Sequence, residues 1–139
     1  MLSQTVQNVD LAPKVFEIMQ KDILLMDADP MGSAGLLALL SGQGYAAQRV
    51  GSLAELRHTL AEEKFMAVFM DIDSVAVDNR VIRELDADYP TTPFLCISRD
   101  RVHPELKDAI RNHIYACLNK PIDPDELFYW LKCIREDKS

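Results

Sequence analysis

Positive charge is scarce in this sequence of 139 residues. Its 15 lysines and arginines stand against 22 aspartates and glutamates, so the formal net charge is -7 and the isoelectric point is about 4.9. Nucleic acids and anionic membranes bind to basic surfaces. The acidic balance therefore argues against both as direct partners of this chain.

Long apolar runs and extracellular features are missing as well. No apolar stretch approaches the roughly 18 residues that span a bilayer, and no basic segment leads into an apolar one as in a signal peptide. The three cysteines form no Cys-x-x-Cys pair, and Cys96, Cys117 and Cys133 each lie in an apolar run. These patterns predict a cytoplasmic protein whose thiols are buried and reduced.

The N-terminal segment differs from the rest of the chain. Residues 1–10 are polar, whereas residues 11–20 place apolar side chains at helical spacing, namely Leu11, Val15, Ile18 and Met19. We expect a short amphipathic helix in an extension of residues 1–21, ahead of one domain at 22–139. The helix could pack on that domain or bind a partner, and the sequence leaves both open.

Beyond residue 21, short apolar runs alternate with amphipathic helical patterns. Runs typical of covered strands lie at 23–26, 45–50, 65–70, 94–97 and 114–118. Helix starts are indicated by Asp29 before Pro30 and by the capping box of Ser52 and Glu55. Five such βα units predict an α/β fold with a parallel sheet covered by helices on both faces.

Polar residues follow four of the predicted strands. Asp27 follows the first, Asp71 and Asp73 the third, Ser98 the fourth and Lys120 the fifth. Because ligands bind at the carboxyl ends of the strands in such sheets, we expect these side chains to meet. Carboxylates suit a hard divalent cation such as Mg²⁺, while an ammonium and a hydroxyl suit phosphoryl oxygens. An aspartate can itself accept a phosphoryl group.

Four motifs at these strands carry a family resemblance. In order along the chain, ILLMDADP, FMAVFMD, PFLCIS and YACLNKP resemble the motifs of response-regulator receiver domains, the CheY-like superfamily, over about residues 22–137. The resemblance implies a doubly wound, flavodoxin-like sheet of five parallel strands in the order 2-1-3-4-5, with five flanking helices. It also implies a signalling module of two-component pathways rather than an enzyme.

The same resemblance assigns roles to the strand-end residues. It makes Asp71 the phosphoacceptor, and it makes Ser98 and Lys120 the groups that bind the new phosphoryl oxygens. It implies Mg²⁺ held by the carboxylates of Asp27 and Asp71 and by the backbone carbonyl of Asp73. The resemblance further implies a cis peptide bond after Lys120, as is usual in the family, and the proline at position 121 permits it.

The sequence departs from the family pattern around this pocket. Ala28 stands where the family has a second acidic residue that binds the metal, and Val75 stands where a proline is usual. Cys117 replaces the switch aromatic, for which Tyr115 could substitute in part. Arg99 follows the switch hydroxyl where a small residue is usual, so it could cover the pocket or form an ion pair there.

Several of these residues have more than one interpretation. The carboxylate of Asp73 could replace the metal ligand lost at Ala28, or it could be a solvated loop residue. Lys120 could bind a phosphoryl group or form an ion pair with Asp71, and Asp27 could merely pair with Lys120.

Two functions therefore remain open. A histidine kinase or phosphotransfer protein could donate a phosphoryl group to Asp71. Alternatively, a pseudo-receiver could act without phosphorylation as an interaction or dimerisation module, which Ala28, Val75 and Cys117 favour. A flavodoxin-like cofactor enzyme is disfavoured, because the turn DADPMG lacks a glycine-rich phosphate loop.

The resemblance also indicates a possible homodimer through the fourth helix, fifth strand and fifth helix. Simple packing of the aromatic-rich last helix against the N-terminal helix is the alternative. The chain could be a stand-alone receiver or the front piece of a longer regulator.

Overall fold

The computed structural model describes residues 22–138. The amphipathic helix predicted within residues 1–21 lies outside the described residues. Five strands run through the described chain: β1 (Ile23–Met26), β2 (Ala47–Val50), β3 (Ala67–Asp71), β4 (Phe94–Ser98) and β5 (Ala116–Asn119). They alternate with five α-helices: α1 (Pro30–Gly42), α2 (Leu53–Glu62), α3 (Asn79–Asp88), α4 (Lys107–His113) and α5 (Pro124–Lys138). A 3₁₀ turn at Pro104–Leu106 precedes α4.

The strands form one parallel sheet in the order β2-β1-β3-β4-β5, which confirms the predicted topology. The chain reverses its direction of winding between β1 and β3, and these two central strands are neighbours. Met26 pairs with Met70, so the next residues of both strands reach the same edge of the sheet. Ser98 pairs with Asn119 at that edge of β4 and β5. The register therefore gathers the strand ends where a doubly wound sheet binds its ligands.

Two apolar layers cover the two faces of the sheet. Strand residues of the first layer pack against Leu40 of α1 and against the inner face of α5, which holds Leu127 and Leu131. The second layer packs strand residues against Leu56 of α2 and Leu85 of α3. Because every residue of β1, β3 and β4 is buried, these strands are continuously apolar up to their polar ends.

Local signals set the helix starts as expected. The Asp29 side chain accepts a hydrogen bond from the Met31 N–H at 3.0 Å, with Pro30 as the first residue of α1. The Ser52 hydroxyl accepts from the Glu55 N–H at 3.1 Å before α2. Each such cap contributes about 1 kcal/mol. None of the helices within residues 22–138 is long and apolar enough to cross a membrane.

The prediction of three buried thiols was wrong in part. Cys96 on the central strand β4 is buried, but Cys117 is exposed and Cys133 is half-buried. The reason for Cys117 is its position on β5, which is an edge strand of the sheet, whereas Cys133 lies on α5. An apolar run alone does not reveal which strand lies at the edge.

Candidate functional site

The five predicted site residues lie together at the carboxyl edge of the sheet. Asp27 and Asp71 are each 4% exposed and Ser98 is 3% exposed. Lys120 reaches the pocket from the loop after β5, and Asp73 reaches it from the loop after β3. The parallel register places their backbones side by side, as the topology requires.

Both carboxylate oxygens of Asp71 are engaged. Oδ1 accepts hydrogen bonds from the backbone N–H groups of Asp73 at 3.0 Å and Ser74 at 3.1 Å. Oδ2 lies 2.7 Å from the Lys120 Nζ. A buried charge needs such partners. The carboxylate is thus fixed between the β3 loop on one side and the ammonium on the other.

The Asp73 carboxylate is bound by donors from two neighbouring strand ends. Its Oδ1 accepts a hydrogen bond from the Ser98 hydroxyl at 3.2 Å, and its Oδ2 accepts from the Arg99 N–H at 2.9 Å. The Lys120 Nζ lies 3.1 Å from Oδ2. The Asp73 side chain is 17% exposed, and both of its carboxylate oxygens have partners within the protein.

Ser74 is a site residue that the sequence did not reveal. Its hydroxyl donates to Asp27 Oδ1 at 3.0 Å and accepts from the Ala28 N–H at 3.0 Å. Asp27 Oδ1 also accepts from the Asp29 N–H at 2.8 Å. One hydroxyl therefore connects the end of β1 to the loop after β3. The alternative in which Asp27 pairs with Lys120 is not observed among the described residues, where Lys120 pairs with Asp71 and Asp73.

The electrostatics of the pocket keep Asp73 and Lys120 charged. Burial raises the pKa of the Asp73 carboxyl, but hydrogen bonds from Lys120 and from the Arg99 N–H outweigh burial, so that the pKa is lowered overall. Burial alone lowers the pKa of the Lys120 ammonium, yet its bonds to Asp71 and Asp73 outweigh burial and raise the pKa. The Lys120 ammonium therefore lies between the side chains of Asp71 and Asp73.

A cavity of about 380 Å³ opens onto Asp71 and Lys120. Two small residues of α1, Gly32 and Gly35, form part of its wall, and Ile122 also lines it. The pocket is therefore accessible to a small reactant next to the Asp71 carboxylate.

Residues 23–132 match the family model described as the response regulator receiver domain. The chain belongs to this family. The transcriptional regulatory protein GlrR of Escherichia coli strain K12 is 30% identical over 108 residues, which cover 76% of this chain and 24% of GlrR. The receiver chain thus spans about a quarter of the length of this curated relative.

Solved receiver structures share the fold. The CheY-like receiver domain protein of Methanospirillum hungatei JF-1 superposes with a TM-score of 0.75 at 19% identity, covering 86% of this chain and 97% of its own. The beryllofluoride-activated NtrC4 receiver domain dimer gives a TM-score of 0.75 at 21% identity, covering 86% of this chain and 100% of its own. These likenesses confirm the predicted fold class. Receiver domains as a family are not enzymes in themselves.

Receiver domains generally bind Mg²⁺ in the acidic pocket, so the candidate ligands can be tested for fit. Asp27, Asp71 and the backbone carbonyl of Asp73 offer hard oxygen atoms, which Mg²⁺ prefers. Ala28 offers no side-chain ligand, and the Asp73 carboxylate is engaged by donors from β4 and β5. Within residues 22–138, no three acidic, histidine or cysteine side chains are grouped as a metal ion requires. The chemistry fits Mg²⁺, but with fewer side-chain charges than the family pattern supplies.

Tyr115, the residue that could substitute in part for the switch aromatic, lies directly before β5, and its N–H donates to the Phe94 carbonyl at 2.7 Å. Its hydroxyl donates to Asp137 at 3.1 Å and its ring lies against Trp130 at 5.9 Å, which fixes it to α5. Cys117 lies opposite Cys96 of β4 in the register of the two strands, and both thiols are free. The Lys120–Pro121 peptide bond is cis, as predicted.

Proposed function

We propose that Asp71 accepts a phosphoryl group from a histidine kinase or a phosphotransfer protein in a two-component phosphorelay. The observation that carries the proposal is the ion pair between Asp71 Oδ2 and Lys120 Nζ at 2.7 Å, formed by a carboxylate that is 4% exposed. A fixed ammonium beside a buried acceptor oxygen stabilises the negative charge that arrives with the phosphoryl group.

The chemistry requires an attack by one carboxylate oxygen. With a phosphohistidine donor, the Asp71 oxygen attacks phosphorus, a P–O bond forms and the P–N bond breaks. The imidazole nitrogen leaves with the bonding electrons and takes up a proton. Asp71 lines a cavity of about 380 Å³, which supports the approach of a small phosphoryl donor. Lys120 and Ser98 supply the ammonium and the hydroxyl for the transferred oxygens, and Mg²⁺, when bound by Asp27, Asp71 and the Asp73 carbonyl, screens their charge.

The test is phosphorylation by a small phosphodonor such as phosphoramidate with Mg²⁺, followed by intact-mass spectrometry. We expect the gain of one phosphoryl group in the native chain and no gain in Asp71→Asn. Asp78→Asn is a matched control, because it removes one carboxylate from the cap of α3 and asparagine caps helices equally well. Equal gain in Asp71→Asn would refute the assignment of Asp71.

A second candidate function has its own supporting observation. The charged groups of the described pocket have partners within the pocket. Lys120 forms ion pairs with Asp71 and Asp73, and the Ser74 hydroxyl donates a hydrogen bond to Asp27. Such a pocket suits a pseudo-receiver that acts through a constant surface. Absence of both phosphoryl uptake and Mg²⁺ binding in a titration would favour this function over the first.

For either function, we propose a homodimer through α4, β5 and α5. Tyr129 of α5 is 59% exposed and packs edge-on against Trp130, which leaves aromatic area on this face. Analytical ultracentrifugation should show a dimer that Tyr129→Glu weakens. Met31→Glu on α1 is the control, because Met31 is also exposed but lies on another helix. A dimer equally stable in both variants would exclude this face.

A further inference from the structure

The groups that hold the Asp73 carboxylate form a site with the chemistry of an anion receptor. A hydroxyl, a backbone N–H and an ammonium converge on its two oxygens from Ser98, Arg99 and Lys120, at distances of 3.2, 2.9 and 3.1 Å. They come from the ends of two adjacent strands, so their positions are set by the sheet. The carboxylate is the occupant that the chain itself provides.

This receptor adjoins the proposed acceptor oxygen. The Lys120 Nζ that lies 3.1 Å from Asp73 also lies 2.7 Å from Asp71 Oδ2. A phosphoryl group on Asp71 adds terminal oxygens that need donors at this point. The N–H groups of the β3 loop already serve Asp71 Oδ1. The donors on the β4 and β5 side are the ones that Asp73 holds.

Charge adds to the competition for donors. A phosphoryl group brings close to two negative charges at neutral pH. A carboxylate as close as that of Asp73 repels them. Asp73 and the phosphoryl group therefore cannot both bind to Ser98, the Arg99 N–H and Lys120 without a loss of binding free energy.

We infer that Asp73 is the internal ligand of an anion site formed by Ser98, the Arg99 N–H and Lys120, and that its carboxylate must be displaced before this site can receive phosphoryl oxygens. The displacement rests on the proposed function, because it takes Asp71 as the residue that carries the phosphoryl group. Asp73 is thus a positioning residue that sets how readily the pocket accepts a phosphoryl group.

The structure also offers the displaced carboxylate a partner outside the pocket. The Arg99 Nε lies 3.6 Å from Asp73 Oδ2, and the Arg99 side chain is 77% exposed. A small outward rotation of Asp73 keeps this ion pair while it releases Ser98 and Lys120. The exchange then costs less than the exposure of an unpaired carboxylate.

The first experiment compares rates of phosphorylation by phosphoramidate in the presence of Mg²⁺. Asp73→Asn removes the charge, and we expect uptake on Asp71 to become at least about tenfold faster, because charge-assisted bonds no longer oppose it. Asp73→Ala should behave alike, whereas Asp78→Asn should match the native chain. Asp71-dependent uptake at equal rates in all variants would overturn the inference and leave the proposed function standing.

The second experiment needs neither metal nor phosphoryl transfer. Inorganic phosphate is titrated into ¹⁵N-labelled protein without Mg²⁺, and the amide signals of Arg99 and Lys120 report binding. We expect Asp73→Asn to bind phosphate at least about tenfold more tightly than the native chain and Asp78→Asn to remain unchanged. Equal affinities would overturn the inference. If no variant takes up a phosphoryl group, the proposed function fails and this titration still decides the inference.

Discussion

Removal of the Ser74 hydroxyl tests whether one side chain connects the two halves of the acidic pocket. In Ser74→Ala, Asp27 Oδ1 loses the donor at 3.0 Å and the Ala28 N–H loses its acceptor at 3.0 Å. A bond to a charged group contributes about 1.5–3 kcal/mol and a neutral one about 1 kcal/mol, but both values fall where water can replace the partner. Since the bond to Ala28 is exposed and the bond to Asp27 is part-buried, we expect the free energy of unfolding to fall by about 1.5 kcal/mol.

Urea denaturation followed by far-ultraviolet circular dichroism measures this loss. For a domain of this size the thermal midpoint should fall by about 6 °C. Ser74→Thr keeps the hydroxyl and should retain most of the stability. A double-mutant cycle with Asp27→Ala should give a coupling of about 1 kcal/mol. Additive effects, or a threonine variant as unstable as the alanine variant, would refute the proposed bridge.

Two further predictions concern thiol reactivity and metal binding. Iodoacetamide should modify the exposed Cys117 before the buried Cys96. A hydrogen bond from Cys96 lowers the pKa of the Cys117 thiol and outweighs the effect of burial. The same bond together with burial raises the pKa of the Cys96 thiol, so less of its reactive thiolate is present. Peptide mapping of the alkylated chain checks the order, and first reaction at Cys96 would contradict it. Ala28→Asp should bind Mg²⁺ at least about tenfold more tightly by calorimetry, because it adds a carboxylate that the pocket lacks. Ala28→Asn is the neutral control, and equal affinities in both variants would contradict a charge effect.

The sequence predicted the fold well because its signals are local and repeated. Apolar runs marked all five strands, and the caps at Asp29 and Ser52 marked two helix starts. The strand boundaries were less accurate. β2 begins at Ala47 rather than residue 45 and β3 at Ala67 rather than residue 65, because an apolar run does not mark the residue at which strand pairing starts.

The site was predicted in its membership but not in its contacts. Strand order explains why Asp27, Asp71 and Lys120 meet, since parallel strands end at one edge. The contacts depend on side-chain directions in the loop after β3, which no periodicity encodes. Ser74 had no signal beyond its place in that loop. The sequence left open whether the Asp73 carboxylate replaces the ligand lost at Ala28 or is solvated, and it did not reveal the hydrogen bonds from Ser98 and the Arg99 N–H.

Ala28 and Asp73 both act on the equilibrium between the unphosphorylated and the phosphorylated pocket. The missing ligand at Ala28 weakens the binding of the metal that would screen a phosphoryl group. The Asp73 carboxylate competes with that group for the hydrogen-bond donors. Both effects raise the free energy of the phosphorylated pocket relative to the unphosphorylated one. A population shift follows the difference between the two states. A receiver and a pseudo-receiver are then two ends of one scale, and the strength with which Ser98, Arg99 and Lys120 hold Asp73 sets the position of this chain between them.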